Sequence, residues 1–216
     1  MSNKLPILLK KGSEADLFLI NWYDKRALSK LRLERSYRHP VLDRELRHRR
    51  TVREAEMLSK AKEAGIRTPY VYFLDTRRNE IIMEFIEGVN LKDIFSAELA
   101  SKLGQCVAKL HSKNIIHGDI TTSNFILEGH PHDRYTELVI IDFGLSFFSQ
   151  RLEDMASEVR MFKEVLNSVH HEIFDLAFSN FSEAYSSFGP PDRGRRVLRK
   201  VHEIQSRGRY SRISST

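Results

Sequence analysis

The sequence predicts an α+β fold in two lobes, a small β-rich first lobe and a reduced, mostly helical second lobe. Three observations predict it. Strand-like runs crowd the first third of the chain around one long helix-forming segment. Amphipathic helical patterns dominate the remainder, interrupted by only two short β-prone runs. A short stretch at 87–91 joins the two patterns. In such a layout the cleft between lobes is the expected ligand site.

The elements follow in order. Residues 1–23 are rich in apolar side chains, with a turn at Lys11-Gly12-Ser13-Glu14. The run 16–22 reads as a strand, and 25–33 continues the sheet. Tyr37-Arg38-His39-Pro40 reads as a turn, because proline disfavours helix at the residue before it. Residues 43–64 are strong helix formers, and Gly65 ends the run as a C-terminal cap would. Leu58, Ala61 and Gly65 share a face with Glu54 at three-to-four residue spacing.

Thr68-Pro69 opens an extended segment at 70–74, and 76–79 is a polar turn. The run 81–86 is β-prone and ends at Glu87-Gly88. Residues 97–112 form an amphipathic helix, with Leu99, Leu103, Cys106 and Leu110 on one face and Ser96 as N-cap. The β-prone runs at 125–127 and 138–141 flank a polar loop. Helical patterning resumes at Leu152 and lasts to about Ser187. Gly189-Pro190-Pro191 breaks it, and 193–205 makes a last, basic helix. No internal repeat is present.

The 216 residues are 41% hydrophobic and 30% charged, which argues against wholesale disorder and suffices for a substantial core. No apolar run approaches the ~20 residues needed to span a bilayer, so no membrane is expected. The N-terminus has no secretory-signal pattern. One cysteine, Cys106, excludes an internal disulfide and a cysteine-rich zinc site, which suits a reducing cytosol or nucleus. The net charge of +6 is unevenly spread: 24–53 and 193–212 each carry +7, leaving −8 for the rest. Two separated basic segments fit a protein that touches a polyanion, and equally fit solvated helix faces.

The chemistry lies in His117-Gly118-Asp119-Ile120-Thr121-Thr122-Ser123-Asn124 and, further on, Ile140-Ile141-Asp142-Phe143-Gly144. Phosphoryl transfer depends on positioning and charge neutralisation. ATP brings several negative charges, and Mg2+ accepts one or two protein carboxylates together with phosphate oxygens. Asp142 can supply a metal carboxylate and Asn124 a neutral oxygen. Asp119, five residues before Asn124, can orient or deprotonate an attacking hydroxyl or water. His117 is structural in this reading. Each motif alone has a bland explanation, but their order does not.

That order resembles the protein-kinase signature, which implies further parts. A lysine on the third strand should hold the nucleotide phosphates and pair with a glutamate on the following helix. Ala27-Leu28-Ser29-Lys30 stands where the lysine is expected, with Lys25 as the rival. Glu54 is preferred to Glu56 because it lies on the helix's apolar face. Gly12, Ser13 and Glu14 form a thin phosphate loop with one glycine where typical kinases have three. Met83 would be the gatekeeper, and the backbone of Glu84 and Ile86 would meet adenine.

Three departures disfavour a general peptide kinase. Gly118 replaces the arginine of the usual His-Arg-Asp, and Thr121 replaces a lysine. Only 72 residues follow Gly144, none of them an Ala-Pro-Glu. The set resembles instead the small atypical protein kinases of the KEOPS (EKC) complex, the PRPK family. The matching stretches are Gly12-Ser13-Glu14-Ala15, Ser36 to Pro40 with Leu42-Asp43, Arg50 to Ala55, Ala61 to Pro69, His117 to Asn124, and Ile141 to Ser146. Arg207-Gly208-Arg209 is similar to the family's basic tail, from which Tyr210 and the Ser/Thr-rich finish depart.

The resemblance implies a bilobal protein-kinase-like fold: N-lobe 1–87, reduced C-lobe 88–205 and basic tail 206–216. It implies an ATP- and Mg2+-dependent Ser/Thr kinase or ATPase that supports N6-threonylcarbamoyladenosine modification of tRNA. The implied partners are the threonylcarbamoyl-transferring subunit, a small regulatory subunit on the other lobe, and tRNA along the two basic segments. It also implies cytoplasmic and nuclear residence, with links to telomere maintenance and transcription. Phosphorylation and hydrolysis use the same groups, and the sequence does not rank them. Two alternatives stand beside it: a RIO-type kinase of ribosome assembly, and a pseudokinase-like module that docks tRNA or a partner without turnover.

Overall fold

Alternating apolar and polar residues in the first part of the chain assemble one antiparallel sheet. The computed structural model describes residues 5–129, 136–189 and 192–213. The chain divides into two units, one comprising the residues up to Gly88 with Val139–Leu145, the other comprising Val89–Leu138 and the residues from Ser146 onward. The seven residues Val139–Leu145 thus belong with the first unit, although in sequence they fall within 88–205. Ile140 donates its N–H to Arg67 O at 3.0 Å and helps to tether them there.

The first unit contains β1 (Ile7–Lys11), β2 (Asp16–Trp22), β3 (Lys25–Leu31), α1 (Pro40–Glu63), β4 (Val71–Asp75) and β5 (Glu80–Glu84), and its sheet runs β1-β2-β3-β5-β4. Tyr23 and Asp24, both at positive φ, make the two-residue turn between β2 and β3. β3 is the central strand: Lys30 lies opposite Leu17 on β2 and Ile81 on β5. Burial of Ala27, Ile81, Ile82 and Met83 supplies the core of the sheet. α1 buries Thr51, Glu54, Ala55, Leu58 and Ala61, spaced by three or four residues.

The helix starts at Pro40, three residues before the expected Asp43. Proline suits the first helical position, where no N–H is required. Asp43 in the first turn is fully buried and paired with Arg47 at 2.6 Å and Arg38 at 3.6 Å. The Tyr37-Arg38-His39-Pro40 segment is thus the N-terminal fixture of α1. At the other end Gly65, at φ 77°, donates to Lys62 O at 2.8 Å and closes the last turn.

The second unit contains α2 (Leu91–Ile94), α3 (Ala97–Ser112), β7 (Ile115–Ile116), β8 (Phe125–Glu128), β10 (Phe147–Phe148), α4 (Leu152–Val169), α5 (Phe174–Ser187) and α6 (Arg193–Ile213). The short strands β6 (Gly88–Asn90) and β9 (Glu137–Ile140) form a sheet with β8 in the order β6-β8-β9, and β7 pairs with β10. α3 begins at Ala97 because Ser96 accepts the Leu99 N–H at 3.3 Å. Its inner face, Ala100, Leu103, Val107 and Leu110, is buried together with Phe162 of α4 and Phe181 and Tyr185 of α5. Gly104 marks the closest approach of α3 and α5, since a Cβ there would lie 2.4 Å from Phe181 O.

α6 runs on to Ile213, beyond the Gln205 expected and into the segment read as a tail. The side chains of Arg207 and Arg209, and all of residues 214–216, lie outside what the structure describes, as do Pro190 and Pro191. Among the described residues no helix is long and apolar enough to cross a membrane.

Candidate active site

Within the first unit, β3, α1 and the 142–144 turn bring four charged side chains together. Lys30 Nζ lies 2.6 Å from Glu54 Oε1 and 2.9 Å from Asp142 Oδ1. Arg32 Nη2 lies 2.8 Å from Glu54 Oε2. Two cations thus face two carboxylates, which makes their burial tolerable. Of the two lysines left open by the sequence, Lys30 is buried and paired, whereas Lys25 is exposed at the start of β3; Glu56 is likewise exposed, and Glu54 is not.

Electrostatics keeps Lys30 and Asp142 ionised. Burial pulls the Lys30 pKa down, but Glu54 and Asp142 outweigh it and raise the pKa above its ordinary value. Burial pushes Asp142 the other way, yet Lys30, the Gly144 N–H and Arg32 hold its carboxyl down to about 2. The Asp142 side chain keeps 45% of its surface exposed, against 1% for Glu54. Asp142 is therefore the carboxylate of the pair that can take a ligand from solvent. Its backbone sits at φ 66°, a left-handed conformation that aspartate adopts more readily than most residues. Gly144 stabilises it by donating its N–H to Asp142 Oδ1 at 3.2 Å.

Other expected residues of the first unit are placed as follows. Gly12 donates to Asp16 Oδ1 at 3.3 Å and accepts from Arg35 Nη2 at 2.7 Å. A Cβ on Gly12 would lie 2.4 Å from Ala15 O, so the turn tolerates no side chain there. Ser13 is exposed, and Glu14 is ion-paired with Arg50 of α1, which ties the loop to the helix. Met83 and Ile86 are buried at 4% and 7% exposure. Glu84 donates its N–H to Tyr70 O at 2.8 Å, and both its carboxylate oxygens are held by Arg67 at 2.8 Å. The Glu84 N–H is therefore already committed within the sheet.

The second unit carries the His117–Asn124 loop. The Asp119 N–H points to His117 Nδ1 at 3.3 Å, and the buried His117 ring stacks with Phe125. Asn124 Nδ2 donates to both Asp119 O and Asp119 Oδ2 at 2.9 Å. With the NH2 group so committed, the amide oxygen is the Asn124 atom suited to a cation. Ser123 O accepts from Asn90 Nδ2 at 2.9 Å, and Thr122 Oγ1 lies 3.1 Å from His170 Nε2, which pins the loop from two sides.

Sequence reasoning missed two groups. Arg32 is one, although its spacing of two from Lys30 put both side chains on one strand face. Glu158 of α4 is the other. Its carboxylate is 4% exposed, accepts the Gly118 N–H at 2.5 Å and lies 2.7 Å from His111 Nε2. His111 Nδ1 in turn lies 2.6 Å from the Tyr185 hydroxyl. Gly118, at φ 83°, has a conformation that favours glycine and turns its N–H to Glu158. The arginine expected of a typical kinase would strain this backbone. Burial pushes the Cys106 thiol up to about 12, which removes it as a nucleophile at neutral pH.

Among the described residues no three His, Cys, Asp or Glu side chains gather as a metal site. Asp142, the carboxylate open to solvent, could hold Mg2+, which would complete its shell with phosphate oxygens and water.

Known proteins resemble this chain in sequence and in fold. The protein kinase domain family matches residues 38–168. The KEOPS complex subunit Bud32 of Pyrococcus abyssi is 35% identical over 216 residues, covering 94% of this chain and 96% of that protein. A probable bifunctional tRNA threonylcarbamoyladenosine biosynthesis protein of Methanobrevibacter smithii is 40% identical over 209 residues, covering 96% of this chain; the chain spans 38% of that relative's length. In fold it resembles the Chaetomium thermophilum Rio2 kinase, solved as an ADP/Mg2+-phosphoaspartate complex. The TM-score is 0.62 at 16% identity, over 91% of this chain and 70% of that one.

Proposed function

The chain belongs to the protein kinase domain family and, within it, to the family of the KEOPS complex subunit Bud32, and from that premise we propose that it is an ATP- and Mg2+-dependent phosphotransferase or ATPase that supports N6-threonylcarbamoyladenosine modification of tRNA. The observation that carries this reading is the junction of Lys30 with Glu54 and Asp142, at 2.6 and 2.9 Å. A cation held between two carboxylates, one buried and one open to solvent, suits a site that receives phosphates and a metal together.

Each residue then has a role. Lys30, oriented by Glu54, holds the nucleotide phosphates. Asp142 and Asn124 offer hard oxygens to Mg2+, and Asp119 orients the attacking hydroxyl or water. Gly12, Ser13 and Glu14 cover the phosphates, Met83 closes the base pocket, and the carbonyl of Glu84 and the N–H of Ile86 meet adenine. When bound, ATP supplies the phosphoryl group and Mg2+ neutralises its charge.

The names of the relatives support the setting: one is a KEOPS subunit and the other a probable threonylcarbamoyladenosine biosynthesis protein. The likeness to Rio2 lies in the fold, and a role in ribosome assembly finds no further support. The basic stretches 24–53 and 193–212 are the candidate tRNA contacts, where affinity would be dominated by phosphate. The threonylcarbamoyl-transferring subunit and the small regulatory subunit are the proposed protein partners.

The test is Mg2+-dependent ATP hydrolysis with and without the threonylcarbamoyl-transferring subunit and tRNA. Turnover is expected to rise in their presence. Asp142→Ala should abolish it, and Asp119→Ala should keep nucleotide binding while losing turnover. Absence of turnover under every condition would leave only a docking module.

A further inference from the structure

We propose that Arg32 is a positioning residue of the nucleotide site, holding the second oxygen of Glu54 so that Lys30 remains available to incoming phosphates. The proposal rests on the reading of this cluster as a nucleotide site. Arg32 follows the last residue of β3, and its side chain is 2% exposed. A guanidinium so deeply buried must be compensated, and its Nη2 meets Glu54 Oε2 at 2.8 Å.

The two oxygens of Glu54 are therefore divided between two cations, with Lys30 on Oε1 and Arg32 on Oε2. Without Arg32, a fully buried carboxylate would have Lys30 as its sole cation and would draw it in with its whole charge. The cluster would also change from two cations and two carboxylates to a net negative charge, in the place where phosphates must bind. Arg32 prevents both.

Two more observations indicate more than structural filling. Arg32 Nε and Nη1, and Glu54 Oε2 itself, are buried without a hydrogen-bond partner among the described residues, so Arg32 acts on Glu54 through its charge, whereas a guanidinium serving stability alone should satisfy its donors. Arg32 is also packed against the metal-side turn. A Cβ added to Gly144 would lie 2.8 Å from Arg32 Nη2 and 3.2 Å from Asp142 Oδ1. The same side chain thus pairs with the α1 glutamate and fills the space beside Gly144, two residues after Asp142.

Two variants of the full chain separate charge from shape. Arg32→Gln keeps an N–H for Glu54 and drops the charge; Arg32→Lys keeps the charge and drops the planar fork. Both are measured by calorimetric binding of ADP with Mg2+, by KM and kcat for ATP, and by melting. Arg32→Gln should bind ADP–Mg2+ about tenfold more weakly and raise KM for ATP by a similar factor, with kcat per folded molecule changed less than about threefold. Arg32→Lys should recover most of that loss. Wild-type affinity in Arg32→Gln overturns the proposal. So does an Arg32→Lys variant as weak as Arg32→Gln, or a pair of variants that melt earlier but bind normally once folded. Wild-type protein that gave no ADP–Mg2+ binding would instead sink the functional reading beneath it.

Discussion

Lys30 Nζ lies 2.6 Å from Glu54 Oε1, and the two groups come from the central strand of the sheet and the one long helix packed on it. Replacing Lys30 by methionine keeps the apolar stem and removes the charge. Glu54 would still have Arg32, so the variant should fold, at a cost of about 1–3 kcal/mol rather than the ~3–5 expected of a buried carboxylate left alone. Turnover should fall on the order of a hundredfold, because the phosphates lose their fixed cation. Urea melts beside steady-state ATP hydrolysis check both parts. Unchanged turnover would remove Lys30 from the site.

The depressed pKa of Asp142 has a definite consequence for stability. Its carboxyl titrates at about 2 in the folded chain, below the ordinary value of 3.8. A group held down in this way stabilises the fold fully above its unfolded value, and that contribution is lost as the pH falls through its folded value. Asp142→Asn should therefore be less stable than wild type near neutrality, by a modest amount because the side chain is half-exposed. The gap should narrow below about pH 4 and close towards pH 2. Acid unfolding of the two proteins side by side is the measurement, and a gap that stayed constant across this range would contradict the assigned Lys30–Asp142 pairing.

How much of this was legible in the sequence depended on whether the signal was local. α3 was predicted over its observed range because Ser96 supplies a cap and Leu99, Leu103 and Leu110 repeat at helical spacing. α1 starts three residues before the expected Asp43 because Pro40, the last residue of the expected turn, has a fixed φ that serves equally well to open a helix. Lys30 and Glu54 could be proposed together because they lie at expected places in a known order. Arg32 could not, since its spacing of two from Lys30 gives it the same strand face without showing that a second cation there is buried. Glu158 shares the buried helical face of Met155 and Phe162, but spacing alone does not say what an acid there would hold. Its burial is decided by His111 and Gly118, which are remote in sequence.

The close approach of α3 and α5 makes a prediction independent of function. Gly104→Ala would place a Cβ 2.4 Å from the Phe181 carbonyl oxygen, a backbone atom that cannot swing aside. The helices must separate, at about 1–3 kcal/mol. Gln105→Ala, one position along on the exposed face, should stay within about 0.5 kcal/mol of wild type. A lower urea midpoint with unchanged slope in the first variant alone is the expected pattern. Equal behaviour of the two would mean that the helices do not pack this closely.

Glu158 ties the His117–Asn124 loop to α3 and α4, and its two oxygens can be tested separately from its charge. Glu158→Ala leaves the Gly118 N–H without its acceptor and takes from His111 the partner at 2.7 Å. The cost should be about 2–4 kcal/mol, from an unmet buried donor and the space left behind. Turnover should also fall, on the order of tenfold, because Gly118 sets the backbone immediately before Asp119. Glu158→Gln behaves differently. Its Oε1 can accept from Gly118 while its NH2 donates to His111 Nε2, provided His111 carries its proton on Nδ1 and donates it to the Tyr185 hydroxyl. The glutamine variant should therefore lie within about 1 kcal/mol of wild type and keep most of its turnover. Chemical denaturation and Mg2+-dependent ATP hydrolysis of both variants distinguish the cases. If glutamine were as damaging as alanine, the carboxylate's charge, and not its hydrogen bonds to Gly118 and His111, would be what holds the loop.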